Sequence, residues 1–87
     1  DMTLFKIKTI SELTGFQPTL LRAWERRYGF LEPQRLPGGH RLYTQDDLRV
    51  LRKIRELIDK GLSVGEIANR GRPWLLTGRA EARAPQD

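Results

Sequence analysis

Apolar residues near the start of the chain recur at spacings that predict a short strand followed by a short helix. Residues 5–7 alternate between apolar and polar, which is typical of a brief strand. Residues 9–12 read Thr-Ile-Ser-Glu and fit a capping box, in which a hydroxyl and a glutamate satisfy free amides at a helix start. We expect Ile10 and Leu13 to form the buried side of this helix, and Gly15 to end it.

A second helix is predicted from Pro18 to about Tyr28, with a stop at Gly29. At about 100° per residue, this helix has two unlike faces. The apolar face carries Leu20, Leu21, Trp24 and Tyr28. The opposite face is narrow and cationic, and it carries Thr19, Arg22, Ala23 and Arg26. A short helix, a turn with glycine and a longer helix predict a helix-turn-helix.

Two short alternating runs around a Gly-Gly turn predict a β-hairpin. The runs are residues 34–36 and 41–43, and the turn between them reads Pro-Gly-Gly-His. We expect Leu36 and Leu42 to face the core. The outward side would then be a cationic wing that carries Arg35, Arg41 and Tyr43.

Two further helices are predicted after the hairpin, each with its own start signal. The first opens at Thr44 with acidic residues in its first turn, and Gly61 ends it. Its apolar stripe contains Leu48, Val50, Leu51, Ile54, Leu57 and Ile58. Ser63 and Glu66 fit another capping box, which opens a short helix. The inward residues of that helix are Val64, Ile67 and Ala68.

This order of elements predicts a mainly α domain with a small β-hairpin wing, that is, a winged helix-turn-helix, over residues 3–70. The composition changes after that point. Residues 71–87 are rich in glycine, proline, alanine and arginine, and they resemble a flexible linker towards a further domain outside this chain. The Trp-Leu-Leu run at residues 74–76 interrupts them, and it either packs back on the domain or begins another element.

Composition adds a charge preference to this fold. The chain has 87 residues, with 16 Lys and Arg against 11 Asp and Glu, a net charge of +5 and a pI near 10.2. Excess positive charge favours polyanions, because each neutralised phosphate releases counterions. The alternative is an ordinary solvated basic surface. With no cysteine and a single histidine, the sequence predicts neither a disulfide nor a metal site.

The sequence carries no sign of an enzyme. It has no Ser/His/Asp set, no phosphate-cradling glycine loop followed by lysine, and no carboxylate pair in a plausible cleft. No apolar run approaches the roughly 20 residues of a membrane-spanning helix, and no basic-then-apolar leader opens the chain. The cytoplasm is therefore the expected compartment.

The pattern resembles the DNA-binding domain of the MerR family over roughly residues 5–70. The matching residues are Ile7, residues 9–13, residues 19–26 and residues 39–44. The family signature places Thr-Leu-Arg before an aromatic residue, whereas here Leu20 stands at the threonine position and the polar residue moves to Thr19. Residues 24–29 and 38–41 are similar to a more specific branch, the light-responsive, vitamin B12-binding repressors of carotenoid genes of the CarA/CarH/LitR type.

The resemblance implies a transcriptional regulator that binds double-stranded operator DNA and, within this branch, represses carotenoid or light-response genes. It also implies a cobalamin-binding module outside this chain, whereas we expect no cofactor in the chain itself. The long dimerisation helix of the family is not part of this sequence. We therefore expect the fragment to be monomeric and the full-length protein to be oligomeric.

We expect the second helix to enter the major groove of DNA. Arg22 and Arg26 would contact base edges or phosphates, and a bidentate arginine–guanine contact contributes about 1–3 kcal/mol of discrimination. Gln17 and Thr19, at the helix start, lie close enough to touch the backbone or the bases. Trp24 belongs to the apolar face, so we expect it to pack in the core rather than to stack on a base.

The wing supplies the second predicted contact with DNA. Arg35, Arg41 and Tyr43 would hold phosphates. His40 would reach into the adjacent minor groove, and the alternative for this residue is a solvated position in the turn.

Two other functions stay open at this stage. The same cationic face can accept an acidic protein partner, such as an antirepressor that imitates DNA. The fold is also that of small architectural DNA-binding proteins of the excisionase type, which act at recombination sites. A longer parent protein with a sensory domain would favour the regulator over an excisionase-like protein.

Overall fold

The computed structural model describes residues 3–77, which contain five helices and three short strands. In chain order these are β1 (Leu4–Phe5), α1 (Ile7–Thr14), α2 (Pro18–Arg27), β2 (Gln34–Arg35), β3 (Arg41–Thr44), α3 (Gln45–Asp59), α4 (Val64–Arg70) and α5 (Arg72–Thr77). The predicted fold class, a mainly helical winged helix-turn-helix, is confirmed. None of these helices is long and apolar enough to cross a membrane.

The strands form one antiparallel sheet in the order β1–β3–β2, so that β3 lies in the middle. The predicted hairpin is confirmed, with Arg35 opposite Arg41 at its closed end. Gly38 and Gly39 form its turn with φ angles of 94° and 89°. Residues that have a Cβ rarely adopt φ angles in this left-handed region, so the turn requires glycine.

Helix α1 begins earlier than the sequence predicts. It starts at Ile7, so the strand predicted over residues 5–7 ends at Phe5. Thr9 then lies inside the helix, where its hydroxyl is not at the capping position. The residue at that position is Lys6, which makes no side-chain capping hydrogen bond. The predicted capping box at residues 9–12 is therefore wrong.

The face of α1 that is buried also differs from the predicted one by a rotation about the helix axis. Gly15 ends the helix with a φ of 83°, as expected, but the side chain of Leu13 is 46% exposed. Thr14 is buried in its place and donates a hydrogen bond of 2.8 Å to the carbonyl of Ile10. Thr14 lies four residues after Ile10, about 40° away around the helix, whereas Leu13 lies about 60° away on the other side.

Helix α2 begins as predicted and docks through its aromatic residue. The ring of Trp24 is buried, with its centroid 4.8 Å from that of Phe16 and 5.8 Å from that of Phe30, both in edge-to-face contact. Leu21 is fully buried beside it. Leu20, in contrast, is 38% exposed, because it lies at the edge of the apolar face, about 100° from Leu21.

The two later helices begin where the sequence predicts. The Oγ1 atom of Thr44 accepts a hydrogen bond from the amide of Asp47, whose carboxylate accepts one in return. Ser63 and Glu66 form the same reciprocal pair at the start of α4. The fully or nearly buried apolar residues of α3 and α4 are Val50, Leu51, Ile54, Leu57 and Ile67.

The segment predicted to open a linker at residue 71 forms helix α5 instead. This helix packs along α3 and buries Leu75. The ring of Trp74 lies 4.6 Å from the guanidinium of Arg70 and 5.8 Å from the ammonium of Lys53. Of the two alternatives for residues 74–76, packing back on the domain is therefore the one observed. Residues 78–87 of the predicted linker lie outside the described residues.

Candidate nucleic-acid interface

The exposed face of α2 is the first part of the candidate interface. Burial of Leu21 and Trp24 on one side directs the opposite side to solvent. That side presents three of the predicted contact residues, Thr19, Arg22 and Arg26, all exposed. Gln17 occupies the position before the first residue of the helix, makes no side-chain capping hydrogen bond and is also exposed, whereas Ala23 is half-buried. The side chains predicted to contact DNA from α2 are therefore accessible together.

The wing is the second part of the interface. His40 and Arg35 are exposed, whereas Arg41 is half-buried. Arg35 and Arg41 lie opposite each other on the paired strands, so their guanidinium groups can converge on one partner. That partner is Glu25, which is part of α2 and not of the wing.

Glu25 is a residue of the site that the sequence-based reasoning missed. One of its carboxylate oxygens, Oε2, lies 2.8 Å from Nε of Arg41 and 3.5 Å from Nη2 of Arg35. The other, Oε1, accepts a hydrogen bond of 3.1 Å from the hydroxyl of Tyr43. Its side chain is only 10% exposed. Glu25 is the sole acidic residue of α2. A single carboxylate among the arginines of this helix was the feature by which the sequence could have indicated its role.

The structure corrects the predicted position of Tyr43. This side chain is 1% exposed and belongs to the core, so the outward position predicted for it is wrong. Leu36, predicted to face inward, is 40% exposed, and Leu42 is half-buried. In a strand, neighbouring side chains point to opposite faces, so choosing the wrong phase inverts all of them. The alternation alone could not decide whether Leu42 or the larger Tyr43 faces the core.

The environment of Tyr43 keeps its hydroxyl neutral. Burial, followed by the negative charge and the hydrogen bond of Glu25, raises the pKa of Tyr43 from 10.0 to about 12. Arg41 and Arg22 lower this pKa by smaller amounts. Because the charge of Arg22 acts on Tyr43, the cationic face of α2 influences the wing electrostatically.

A groove of about 570 Å³ separates the wing from the helix-turn-helix. Its basic lining consists of Lys6, Lys8, Arg22, His40 and Arg41, and Tyr43 also borders it. Its apolar lining includes Ile7, Leu36 and Leu42. None of the described residues that line it is acidic. The predicted residues Arg22, His40 and Arg41 thus share one concave, positively charged surface.

This arrangement of helix-turn-helix, wing and further helices extends over the part of the chain that matches a known family. Residues 5–70 match the family described as MerR HTH family regulatory protein. The chain belongs to the MerR family. The match includes α2, the whole wing and α4, so the resemblance read from the sequence is confirmed.

Individual MerR-family regulators are also similar to this chain. It is 45% identical over 74 residues to the HTH-type transcriptional repressor CarH of Myxococcus xanthus, covering 85% of the chain and 24% of CarH. It is 46% identical over 67 residues to the repressor CarA of the same organism, covering 75% of the chain and 23% of CarA. It is 44% identical over 66 residues to the HTH-type transcriptional regulator MlrA of Escherichia coli K12, covering 76% of the chain and 27% of MlrA.

These matches place the chain within its family but cover only part of each relative. The chain spans about a quarter of the length of these regulators. It corresponds to the helix-turn-helix, DNA-binding domain of a MerR-family transcriptional regulator.

Proposed function

We propose that this MerR-family domain binds double-stranded operator DNA sequence-specifically and that it acts in a transcriptional repressor. The observation that carries the proposal is the exposed cationic face of α2 beside an exposed wing. Arg22 and Arg26 have no ion-pair partner within residues 3–77, so their charges are available to a ligand. CarH and CarA, named as repressors, support the direction of regulation.

Helix α2 supplies the contacts that read sequence. The major groove of B-DNA is about 12 Å wide and admits an α-helix. Anchored by Trp24, α2 presents Arg22 and Arg26 to the base edges, where a guanidinium fork matches the two acceptors of guanine. Gln17 and Thr19 meet the backbone at the point where the helix enters the groove.

The wing supplies contacts beside that groove. His40 lies in the turn of the hairpin and is directed at the adjacent minor groove, while Arg35 binds the phosphates along its edge. Glu25 holds Arg41 against α2 and thereby sets the angle between the helix and the wing. Tyr43 contributes from inside, by fixing Glu25 rather than by touching DNA.

Arg22→Ala tests the recognition helix. A preferred duplex is first selected from random-sequence DNA with the 87-residue chain. We expect the substitution to weaken binding to that duplex by about 5- to 150-fold, which corresponds to about 1–3 kcal/mol. Arg52→Ala is the matched control, because Arg52 is an exposed arginine on α3. Equal losses for the two variants would show that α2 does not read the sequence.

A more specific part of the proposal concerns which genes the protein regulates. The resemblance of residues 24–29 and 38–41 to the light-responsive branch supports carotenoid or light-response genes, and a cobalamin-binding module outside this chain is a prediction from the same resemblance. Footprinting on the DNA upstream of the protein's own gene tests the target. We expect a protected site that overlaps a promoter, and protection only far from any promoter would contradict repression by occlusion.

The relatives described above are all named as transcriptional regulators. This favours the proposal over an excisionase-like architectural protein and over a module dedicated to an acidic protein partner.

A further inference from the structure

The lysine and arginine side chains of this domain differ in whether they already form an ion pair with a carboxylate. Arg35 and Arg41 contact Glu25, and Arg49 contacts Asp46. A larger set has no ion-pair partner within the described residues, and three of its members line one groove: Lys6, Lys8 and Arg22. An unpaired cation gains more from a phosphate than a paired one, because no existing attraction must be given up.

Lys6 and Lys8 line this groove from the start of α1. Lys6 immediately precedes α1 and Lys8 is its second residue, and both are exposed. His40 and Arg41 of the wing line the same groove. The two lysines are therefore positioned on a third element, neither the recognition helix nor the wing, that borders the same concave surface.

The geometry of DNA determines what can pass through this groove. A sugar–phosphate backbone separates each major groove from the minor groove next to it. If α2 occupies the major groove and the wing reaches the adjacent minor groove, the strand between the two grooves must run between α2 and the wing. The groove bordered by Lys6 and Lys8 lies between those elements.

We infer that Lys6 and Lys8 bind backbone phosphates of the strand that separates the two grooves. This inference rests on the proposed function and adds a binding site that the family signature and the sequence pattern do not assign. A lysine ammonium binds phosphate as a point charge without bidentate geometry. The two lysines consequently contribute affinity that is independent of base sequence, whereas Arg22, which borders the same groove, also contributes selectivity.

The test is the salt dependence of DNA binding by a Lys6→Gln/Lys8→Gln variant of the 87-residue chain. With the duplex selected for the wild type, we expect the slope of log K against log salt to become shallower by about 1.8, since each phosphate contact contributes about 0.9. The preference for the selected duplex over a scrambled one should stay unchanged. Both side chains are exposed, so the thermal unfolding midpoint should also be unchanged.

An Arg52→Gln/Arg70→Gln variant is the matched control, because it removes two positive charges from exposed residues of α3 and α4 that also have no ion-pair partner within the described residues. We expect its slope to stay near that of the wild type. An equal reduction in both variants would overturn the inference by showing that only net charge matters. An unchanged slope in the Lys6/Lys8 variant would overturn it as well.

Duplexes with a single neutral methylphosphonate at successive backbone positions locate the contact. We expect one or two positions at which the wild type loses affinity and the Lys6/Lys8 variant does not. Identical profiles for the two proteins would contradict the inference. If the wild type prefers no sequence, the proposed function fails, but the slope measured on a mixed-sequence duplex still decides whether the lysines bind phosphate.

Discussion

Glu25 and Asp47 are both carboxylates that gather groups from distant parts of the chain, but they do so in different surroundings. Glu25 borders the candidate interface. It accepts a hydrogen bond from the hydroxyl of Tyr43 and forms ion pairs with the guanidinium groups of Arg35 and Arg41. Asp47 is fully buried in the interior of the domain. There, Asp47 accepts hydrogen bonds from the amides of Thr44 and Glu32 and from the guanidinium of Arg72.

The Asp47 cluster joins three segments into one scaffold. Its Oδ1 atom accepts from the Glu32 amide at 2.9 Å and from Nη1 of Arg72 at 2.8 Å, and Oδ2 accepts from the Thr44 amide at 3.0 Å. Arg72 also donates to the carbonyl of Phe30. The segment after α2, the start of α3 and helix α5 are thus tied together at a single buried carboxylate.

The two carboxylates differ in role: Asp47 stabilises the fold, whereas Glu25 orients side chains of the candidate interface. The partners of Asp47 are two backbone amides and one largely buried arginine, so its removal leaves groups unpaired in the core. The partners of Glu25 include two arginines of the wing, Arg35, which the proposed function offers to DNA, and Arg41, which packs against α2. Glu25 therefore sets where those charges stand, and we expect its loss to change binding more than folding.

Asp47→Ala should produce the largest effect on folding. Removing one partner of a buried ion pair costs about 3–5 kcal/mol, because it leaves the other charge uncompensated. We expect the free energy of unfolding, measured by urea titration, to fall by that amount. Asp46→Ala, an exposed neighbour on the same helix, is the control and should change it little. Similar losses in both variants would contradict the role of Asp47 in holding the scaffold together.

Glu25→Gln should have a smaller effect on folding and a clear one on binding. The loss of its charged contacts should cost about 1–2 kcal/mol of unfolding free energy. The released charge of Arg35 and Arg41 should make the salt dependence of DNA binding steeper and reduce the preference for the selected duplex over a scrambled one. Glu12→Gln makes the same charge change at an exposed position on α1. An equal change in sequence preference in that variant would contradict the orienting role of Glu25.

Tyr43 allows the Glu25 cluster to be tested by alkaline pH. The pKa of Tyr43 is about 12 in the folded chain against an ordinary 10.0, so folding favours the neutral phenol. This contribution to stability is complete below pH 10 and is lost as the pH rises towards 12. At pH 11 the loss should be about 1 kcal/mol. Urea titrations at pH 8 and 11 should show a smaller decline in Tyr43→Phe than in Tyr28→Phe; equal declines would contradict the raised pKa.

Glu66 represents a third situation, an exposed carboxylate whose partner is a near neighbour in the chain, and its effect should be the smallest. Hydrogen bonds from the amide and the hydroxyl of Ser63 lower the pKa of Glu66 below its ordinary 4.5. The stabilisation is therefore present above that value and is lost as the pH falls. An NMR titration should show this lowered pKa. A Ser63→Ala variant keeps the amide and loses the hydroxyl, so it should shift the pKa of Glu66 part of the way back upward, and no shift would show that the hydroxyl does not act on Glu66.

The same three carboxylates show how far the sequence could predict the structure. The caps at Thr44 and Ser63 are readable because both partners lie three residues apart. The cap predicted at Thr9 is wrong because the same spacing also occurs inside a helix. The link between Asp47 and Arg72 spans 25 residues, and the one between Glu25 and Tyr43 spans 18. No local spacing indicates either of them.

The sequence by itself determined the order of the elements, the helix-turn-helix with its wing, and the cationic face of α2, because helix periodicity, caps and turn glycines are local properties. Tertiary structure decided the rest. It turned Tyr43 inward and Leu36 outward, since only packing selects which face of a short strand is buried. It also made helix α5 part of the domain and brought Lys6, Lys8 and His40 into the lining of one groove, because contacts between distant segments depend on how the helices dock.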